Sequence, residues 1–361
     1  MSQALRCMVL GAGLMGRLLA HALVRAGHQV TMHEARGLDA QGAAAWVAAS
    51  MLAPLAESAI TELPVVRMGQ HSLKRWPSLL AELPTPVFFQ RAGTVIVWHR
   101  QDAAEAKRFA DKLRATRDQL PELAAPQSLQ SPDLVRLEPS LGNKFSQGLW
   151  LPEEGQLDNR QLLDALLASL TNSRADLHWH SPQALEDVQA DWVFDCRGLG
   201  AKPQWRGLRG VRGEVLRLHA PDVHIKRPVR LIHPRYPLYI APKENGVFVV
   251  GATEIETDDL SPASVRSSLE LLSAAYSVHS GFAEARILEI NVQARPTLPD
   301  NLPAIHLPRP GVMQINGLYR HGFLIAPAML DAALALMRGD TALADQFGLL
   351  QSAPTTLDGF A

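Results

Sequence analysis

The run Leu5-Arg6-Cys7-Met8-Val9-Leu10-Gly11-Ala12-Gly13-Leu14-Met15-Gly16 constrains this chain more than any other stretch. Leu5 to Leu10 is mostly apolar and stops at glycine, so it reads as a buried strand. Leu18, Leu19, Ala22 and Leu23 then recur at helical spacing between Leu14 and Arg25, and Gly27 closes the helix. Gln29 to His33 resumes as a second strand, which makes a βαβ opening. A GxGxxG triplet is weak evidence alone, but here it lies between a strand and a helix, the context the motif needs. Gly11 permits the tight turn, Gly13 lets backbone approach a phosphate, and Gly16 lets helix and sheet pack closely. The helix start at Leu14 and Met15 offers N–H donors and the positive end of a dipole to a pyrophosphate. Glu34, ending the second strand, can accept hydrogen bonds from both ribose hydroxyls and disfavours a 2′-phosphate. FAD and NAD share this fingerprint, and both stay open at this point.

With 361 residues the chain has room for about two domains. A net charge of −1 gives no electrostatic reason to expect nucleic acid or an anionic membrane as partner. Cys7 and Cys196 both lie in apolar runs and read as inert core thiols, with no disulfide framework. The thirteen histidines show no metal spacing, so no metal is expected. Met8 to Gly27 is apolar, yet glycines interrupt it and Arg17 and Arg25 charge it, which argues against a signal or membrane helix. The expectation is a cytoplasmic protein; homo-oligomerisation stays open.

The order of elements is informative. Ala43 to Leu55 reads as a helix of small residues limited by Pro54. Val87–Gln90 and Thr94–His99 flank Arg91-Ala92-Gly93 as a hairpin. Gln101 to Arg117 reads as a surface helix, and Pro121, Pro126 and Pro132 mark an irregular connection. Gln161–Leu170 is helical, and Trp192–Cys196 is a buried strand ending near Gly198. Glu214–Leu218, Leu238–Ala241 and Val247–Val250 are strands, with Asn245-Gly246 a turn. Pro262–Ala274 is a helix capped by Ser261. Val312–Asn316 is a last strand, Ala326–Met337 a last helix, and Gln351–Ala361 a frayed tail. This alternation predicts an α/β protein with two interleaved domains. Residues 1–80, 141–212 and 295–361 form a Rossmann-like nucleotide-binding domain. Residues 81–140 and 213–294 form an α+β substrate domain on an antiparallel sheet. An NAD enzyme of this size completes its dinucleotide fold early, whereas this chain leaves the sheet before residue 90 and returns late, which favours FAD.

A second glycine-containing turn, Gly317-Leu318-Tyr319-Arg320-His321-Gly322-Phe323-Leu324, sets Arg320 just before an expected helix start. A planar guanidinium there offers a forked donor pair to a carboxylate. Arg295, held by Pro296 in an extended segment, is the second candidate. Tyr239, on a strand near Pro242, reads from spacing alone as an ordinary core aromatic. No Ser/His/Asp nucleophile set is evident, and His321 is not expected to act as a base.

These segments, with Ala48-Ala49-Ser50-Met51-Leu52, Cys196-Arg197-Gly198, Gly251-Ala252-Thr253 and Ala294-Arg295-Pro296, resemble the D-amino-acid-oxidase-like FAD enzymes. The match is strongest to the glycine oxidases associated with thiamine biosynthesis, and it runs from Leu5 to about Met337. The resemblance implies FAD as cofactor, with Ala48 to Leu52 running along the flavin ring and Cys196 to Gly198 on its binding wall. It implies that backbone N–H groups of Gly322, Phe323 and Leu324, beside His321, face the ring's pyrimidine end. It also implies that Arg320 binds the substrate carboxylate, with Arg295 and Tyr239 lining the same pocket. Ser50 stands where the family has glycine, and Leu318 where it often has histidine. Glu254 stands where some glycine oxidases carry an apolar residue; it could contact the substrate ammonium, pair with an arginine or point to solvent. The implied reaction is oxidative deamination of glycine or a related small amino acid or amine by hydride transfer from Cα to flavin N5. The imine hydrolyses to an oxo acid and ammonia or passes to thiazole synthesis, and O2 or another electron acceptor reoxidises the flavin to give, with O2, hydrogen peroxide. The alternatives are a D-amino-acid or secondary-amine dehydrogenase with another acceptor, or a flavin-dependent tRNA-modification module, against which the absence of a basic run counts.

Overall fold

In the computed structural model, which describes residues 4–142, 144–233 and 238–350, the chain builds two large sheets and one small one. The first has six strands in the order Ala304–Arg309, Val312–Asn316, Trp192–Asp195, Arg6–Leu10, Gln29–His33 and Asp176–His178. All its pairs are parallel except the first. Helix Leu14–Arg25 packs on it through buried Leu18, Leu19 and Leu23, the periodic residues of the sequence. The apolar helix Gly322–Met337 lies beside it, buried for most of its length. The stretch Tyr319–Met337 is long and apolar enough to cross a membrane by composition, but 72% of that window is buried in the fold.

The second sheet has eight strands in the order Arg286–Thr297, Arg209–His219, Val247–Gly251, Leu238–Pro242, Val229–Ile232, Thr94–Trp98, Gln147–Leu151 and Gln127–Gln130. It is antiparallel apart from the pair Val229–Ile232 with Thr94–Trp98. Met51–Leu52, Gly155–Leu157 and Phe89–Gln90 form a small antiparallel sheet. The α/β fold class with an antiparallel second unit is thus the observed one. Gln147–Leu151, which the sequence division grouped with the nucleotide-binding part, belongs to the eight-stranded sheet.

Several expected elements differ. Residues 43–55 are not one helix: Ala44–Val47 is a single turn, Met51–Leu52 is a strand, and Pro54 opens the short helix Pro54–Glu57. Proline suits that first helical position because no N–H partner is needed there. The hairpin around Gly93 does not form, since Phe89–Gln90 joins the small sheet and Thr94–Trp98 the eight-stranded one. The proline-rich connection contains strand Gln127–Gln130 and helix Ser131–Leu137. The helix expected from Pro262 starts at Val265 with Ser264 as its cap, whose hydroxyl accepts from Ser267 N. Helix Leu63–Ala81 was not foreseen; its Trp76 is fully buried and donates to the Phe323 carbonyl. The last long helix begins at Gly322 and carries Pro327 inside it. The tail Gln351–Ala361 lies outside the described residues.

Candidate active site

One cavity of about 610 Å³ runs from the first glycine turn to the Arg320 turn. Its walls include Gly11, Gly13, Leu14, Met15, Glu34, Ala48, Ala49, Ser50, Met51, Cys196, Arg197, Gly198, Tyr239, Glu254, Arg295 and Arg320 with His321 to Leu324. Of the sequence candidates, Gly16 and Leu52 are not on the wall. A Cβ on Gly16 would lie 1.8 Å from the Gly11 carbonyl oxygen, so Gly16 sets how closely the helix approaches the turn. Leu52 is fully buried core.

At the first end the contacts are backbone ones. Gly11 has φ +92°, and a Cβ there would meet the Cys196 carbonyl oxygen at 2.8 Å. Gly11 N donates to the His33 carbonyl at 2.8 Å, which fastens the turn to the second strand. Glu34 accepts from Ala12 N at 2.7 Å and from Arg36 N at 2.9 Å. Its carboxylate therefore also holds the turn, with lone pairs to spare for hydroxyl donors. Arg17, buried and unnoticed as a functional residue in the sequence, donates to the carbonyls of Ala12, Leu163 and Leu38. It ties the turn, the loop after the second strand and helix Asn159–Thr171 together. Arg197 is engaged by Asp195 at 2.8 Å through two nitrogens.

The middle wall is pinned from behind. Ser50 has φ +51°, a left-handed conformation that favours glycine, and its hydroxyl donates to the Leu157 carbonyl at 2.5 Å. Buried Lys243 donates to the carbonyls of Ala49 and Leu157 at 2.9 and 2.7 Å. Burial among neutral acceptors pulls its ammonium down to about 7.

The far end is charged. Glu57, buried at the end of helix Pro54–Glu57, pairs with Arg230 and lies 3.2 Å from Arg320 Nε and 3.4 Å from His321 Nδ1. Burial pushes the Glu57 carboxyl up, but Arg320 and Arg230 outweigh it and hold the group well below the ordinary carboxylate range. Burial lowers His321 to about 4 despite Glu57, so the imidazole is neutral near pH 7. Glu254, the exposed acid of this end, accepts from Tyr319 OH and from Arg320 Nη1 at 2.9 Å. Arg295 differs from both other arginines: its Nη atoms donate only to the carbonyls of Thr253 (3.2 Å) and Arg212 (3.4 Å). It has no carboxylate partner among the described residues, and burial lowers its pKa. A Cβ on Gly213 would stand 2.3 Å from Arg295 Nη2, so glycine there makes room for this guanidinium. Glu57 and Arg230 were missed in the sequence. Arg230 breaks the apolar run Val229–Ile232 and pairs in parallel with the strand Thr94–Trp98, a signal that an unmatched charge in a buried strand offers.

The chain is matched over residues 6–333 by the model of the FAD dependent oxidoreductase family, and it belongs to that family. Its enzyme class and cofactor follow: it is an oxidoreductase that uses FAD. The cradle fits the group: Gly11, Gly13, Leu14 and Met15, where helix Leu14–Arg25 starts, line the cavity together with the Glu34 carboxylate. A protein of Rhizobium etli named for a thiamine biosynthesis oxidoreductase, ThiO, is 40% identical over 90% of this chain and 94% of its own length. The bifunctional protein ThiO/ThiG of Nostoc sp. is 25% identical over 90% of this chain, which spans about half (51%) of that longer protein. The fold is that of glycine oxidase from Bacillus cereus, with a TM-score of 0.80 and 20% identity over 97% of this chain and 99% of that one.

Proposed function

We propose that this enzyme oxidises glycine or a related small amino acid or amine at the carbon bearing nitrogen. The six-stranded sheet and its helices hold the cofactor, and the eight-stranded sheet supplies most of the substrate pocket. The observation that carries the reading is Arg295, a guanidinium in the cofactor cavity with carbonyl partners only, beside Tyr239. A substrate carboxylate supplies the counter-charge that this arginine lacks, and Arg320 contributes from the neighbouring turn. The division of labour differs from the expectation in which Arg320 alone leads, because two protein carboxylates already face Arg320.

Bound FAD would supply the redox chemistry, a two-electron oxidation of the carbon bearing nitrogen with O2 or another acceptor as the final electron sink. The chain's own residues orient and balance charge. Gly11 to Met15 and Glu34 hold the nucleotide half, and Ala48 to Met51 lie along the ring. Backbone N–H groups from Gly322 to Leu324, at the start of a long helix on the cavity wall, would stabilise negative charge that the ring gains on reduction. Neutral His321 adds no positive charge there and takes no proton from substrate at neutral pH. The imine product hydrolyses to an oxo acid and ammonia; the names of the ThiO relatives support a role in supplying the thiazole of thiamine instead.

Anaerobic addition of glycine, sarcosine or D-alanine to the yellow protein is expected to bleach its flavin absorbance. Bleaching by none of them removes the amine reading. In Arg295→Met the apparent KM should rise by about 30- to 5000-fold, since loss of one partner of a desolvated charge pair costs about 2–5 kcal/mol. An unchanged KM would take Arg295 out of the pocket.

A further inference from the structure

We propose that Glu254 is an internal competitor for the carboxylate position on Arg320 and that it thereby sets which substrates this pocket admits. The inference rests on the amine-oxidation reading above and names a residue that selects within it. A guanidinium presents a carboxylate with two forked edges, Nε with one Nη and the two Nη together. Glu57 stands 3.2 Å from Nε, and Glu254 takes Nη1 at 2.9 Å, so each edge of Arg320 already meets one protein carboxylate. Nη2 makes no hydrogen bond among the described residues.

The two carboxylates are not equivalent. The Glu57 side chain is 9% exposed and also pairs with Arg230, whereas the Glu254 side chain is 44% exposed and, among the described residues, is held otherwise only by the Tyr319 hydroxyl. Releasing Glu57 would strand two buried guanidinium groups; releasing Glu254 costs little because water replaces its partner. Glu254 is therefore the group that an incoming carboxylate exchanges for, without any covalent change. While Glu254 sits on Arg320 the binding-competent fraction is reduced, and the apparent dissociation constant of a carboxylate rises by the inverse of that fraction. Once displaced, Glu254 stays at the pocket rim, where it opposes a second negative charge on the ligand. The pocket thus favours monocarboxylates over dicarboxylates.

The test is titration of the FAD-loaded protein with acetate and with malonate, read by perturbation of the flavin spectrum, in the parent and in Glu254→Gln. Competition predicts acetate binding about two- to fivefold tighter in Glu254→Gln, the effect of freeing a half-exposed ion pair. Malonate should gain more than acetate. Tyr319→Phe, which removes the other anchor of Glu254, should tighten acetate in the same direction by a smaller factor. Glu256→Gln serves as the control, because Glu256 pairs with Arg209 outside the cavity. Acetate affinity that is unchanged or weakened in Glu254→Gln overturns the proposal, as does equal tightening in Glu256→Gln, which would mark a general field effect. Weaker glycine binding with unchanged acetate binding overturns it too, by assigning Glu254 to the ammonium group. These titrations need no turnover, so their failure is distinct from a failure of amines to bleach the flavin.

Discussion

The Gly11–Glu34 end and the Arg320 end of one cavity are built in different ways. At the first, each contact has a backbone group on at least one side, and most join residues close in sequence: Gly11 with His33, Glu34 with Ala12, and Arg17 with the carbonyls of Ala12, Leu38 and the distant Leu163. At the second, Glu57, Arg230, Glu254, Tyr319 and Arg320 come from widely separated elements and meet through side chains. The first end excludes added atoms, because a Cβ would run into main chain that cannot move aside. The second excludes unbalanced charge, because a buried ion without its partner costs several kcal/mol. One surface is specified by shape and the other by neutrality.

The comparison breaks most visibly at Glu57. Glu57→Ala leaves Arg230 and Arg320 facing each other across an emptied site, and a loss of about 3–5 kcal/mol is expected in denaturant unfolding. A loss below 1 kcal/mol would mean that the charged end is not held together by this acid. Gly16→Ala should instead act on the cofactor, since its Cβ points at the Gly11 oxygen from 1.8 Å. Overpacking of this kind costs about 1–3 kcal/mol, so FAD affinity should fall by roughly 5- to 150-fold in a fluorescence titration. Unchanged FAD affinity there would sink the shape argument.

A smaller effect lies behind the charged end, at Glu154. This buried acid accepts from Ala56 N and has the Thr94 hydroxyl beside it. Burial, only partly offset by Arg230, pushes its carboxyl from 4.5 up to about 7. A folded-state pKa above the unfolded value gives a contribution that is complete below about pH 4.5 and lost as pH rises through 7. Glu154→Gln removes that dependence. The variant should match the parent near pH 4 and exceed it by about 1–3 kcal/mol at pH 8, with the difference opening between those values. A parallel pH profile in the two proteins would assign the Glu154 charge no cost.

The boundaries of Leu14–Arg25, Gln29–His33 and Val312–Asn316 are the ones that periodicity and turn residues indicate, because these elements answer to local patterns. The segment 43–55 misled for the same reason. Its small residues carry helical propensity, but Ala49 and Leu157 are drawn to Lys243 and the chain is held extended against Gly155–Leu157. The apparent hairpin around Gly93 failed because strand pairing is chosen by the whole sheet. Gln156 and Leu151, remote in sequence, offer the partners that Gln90 and Thr94 take.

Taken alone, the amino-acid order determined the nucleotide cradle, the interleaved α/β architecture and the presence of an arginine-bearing turn, through residues that act on neighbours a few positions away. Only the tertiary structure decided how the three pocket arginines share their counter-charges. Glu57 is one more acid after a proline until the fold buries it between Arg230 and Arg320. The same fold brings Glu254 to Arg320 and leaves Arg295 with carbonyls. Charge pairing is a property of distance and burial, and neither is written in the spacing of residues so far apart along the chain.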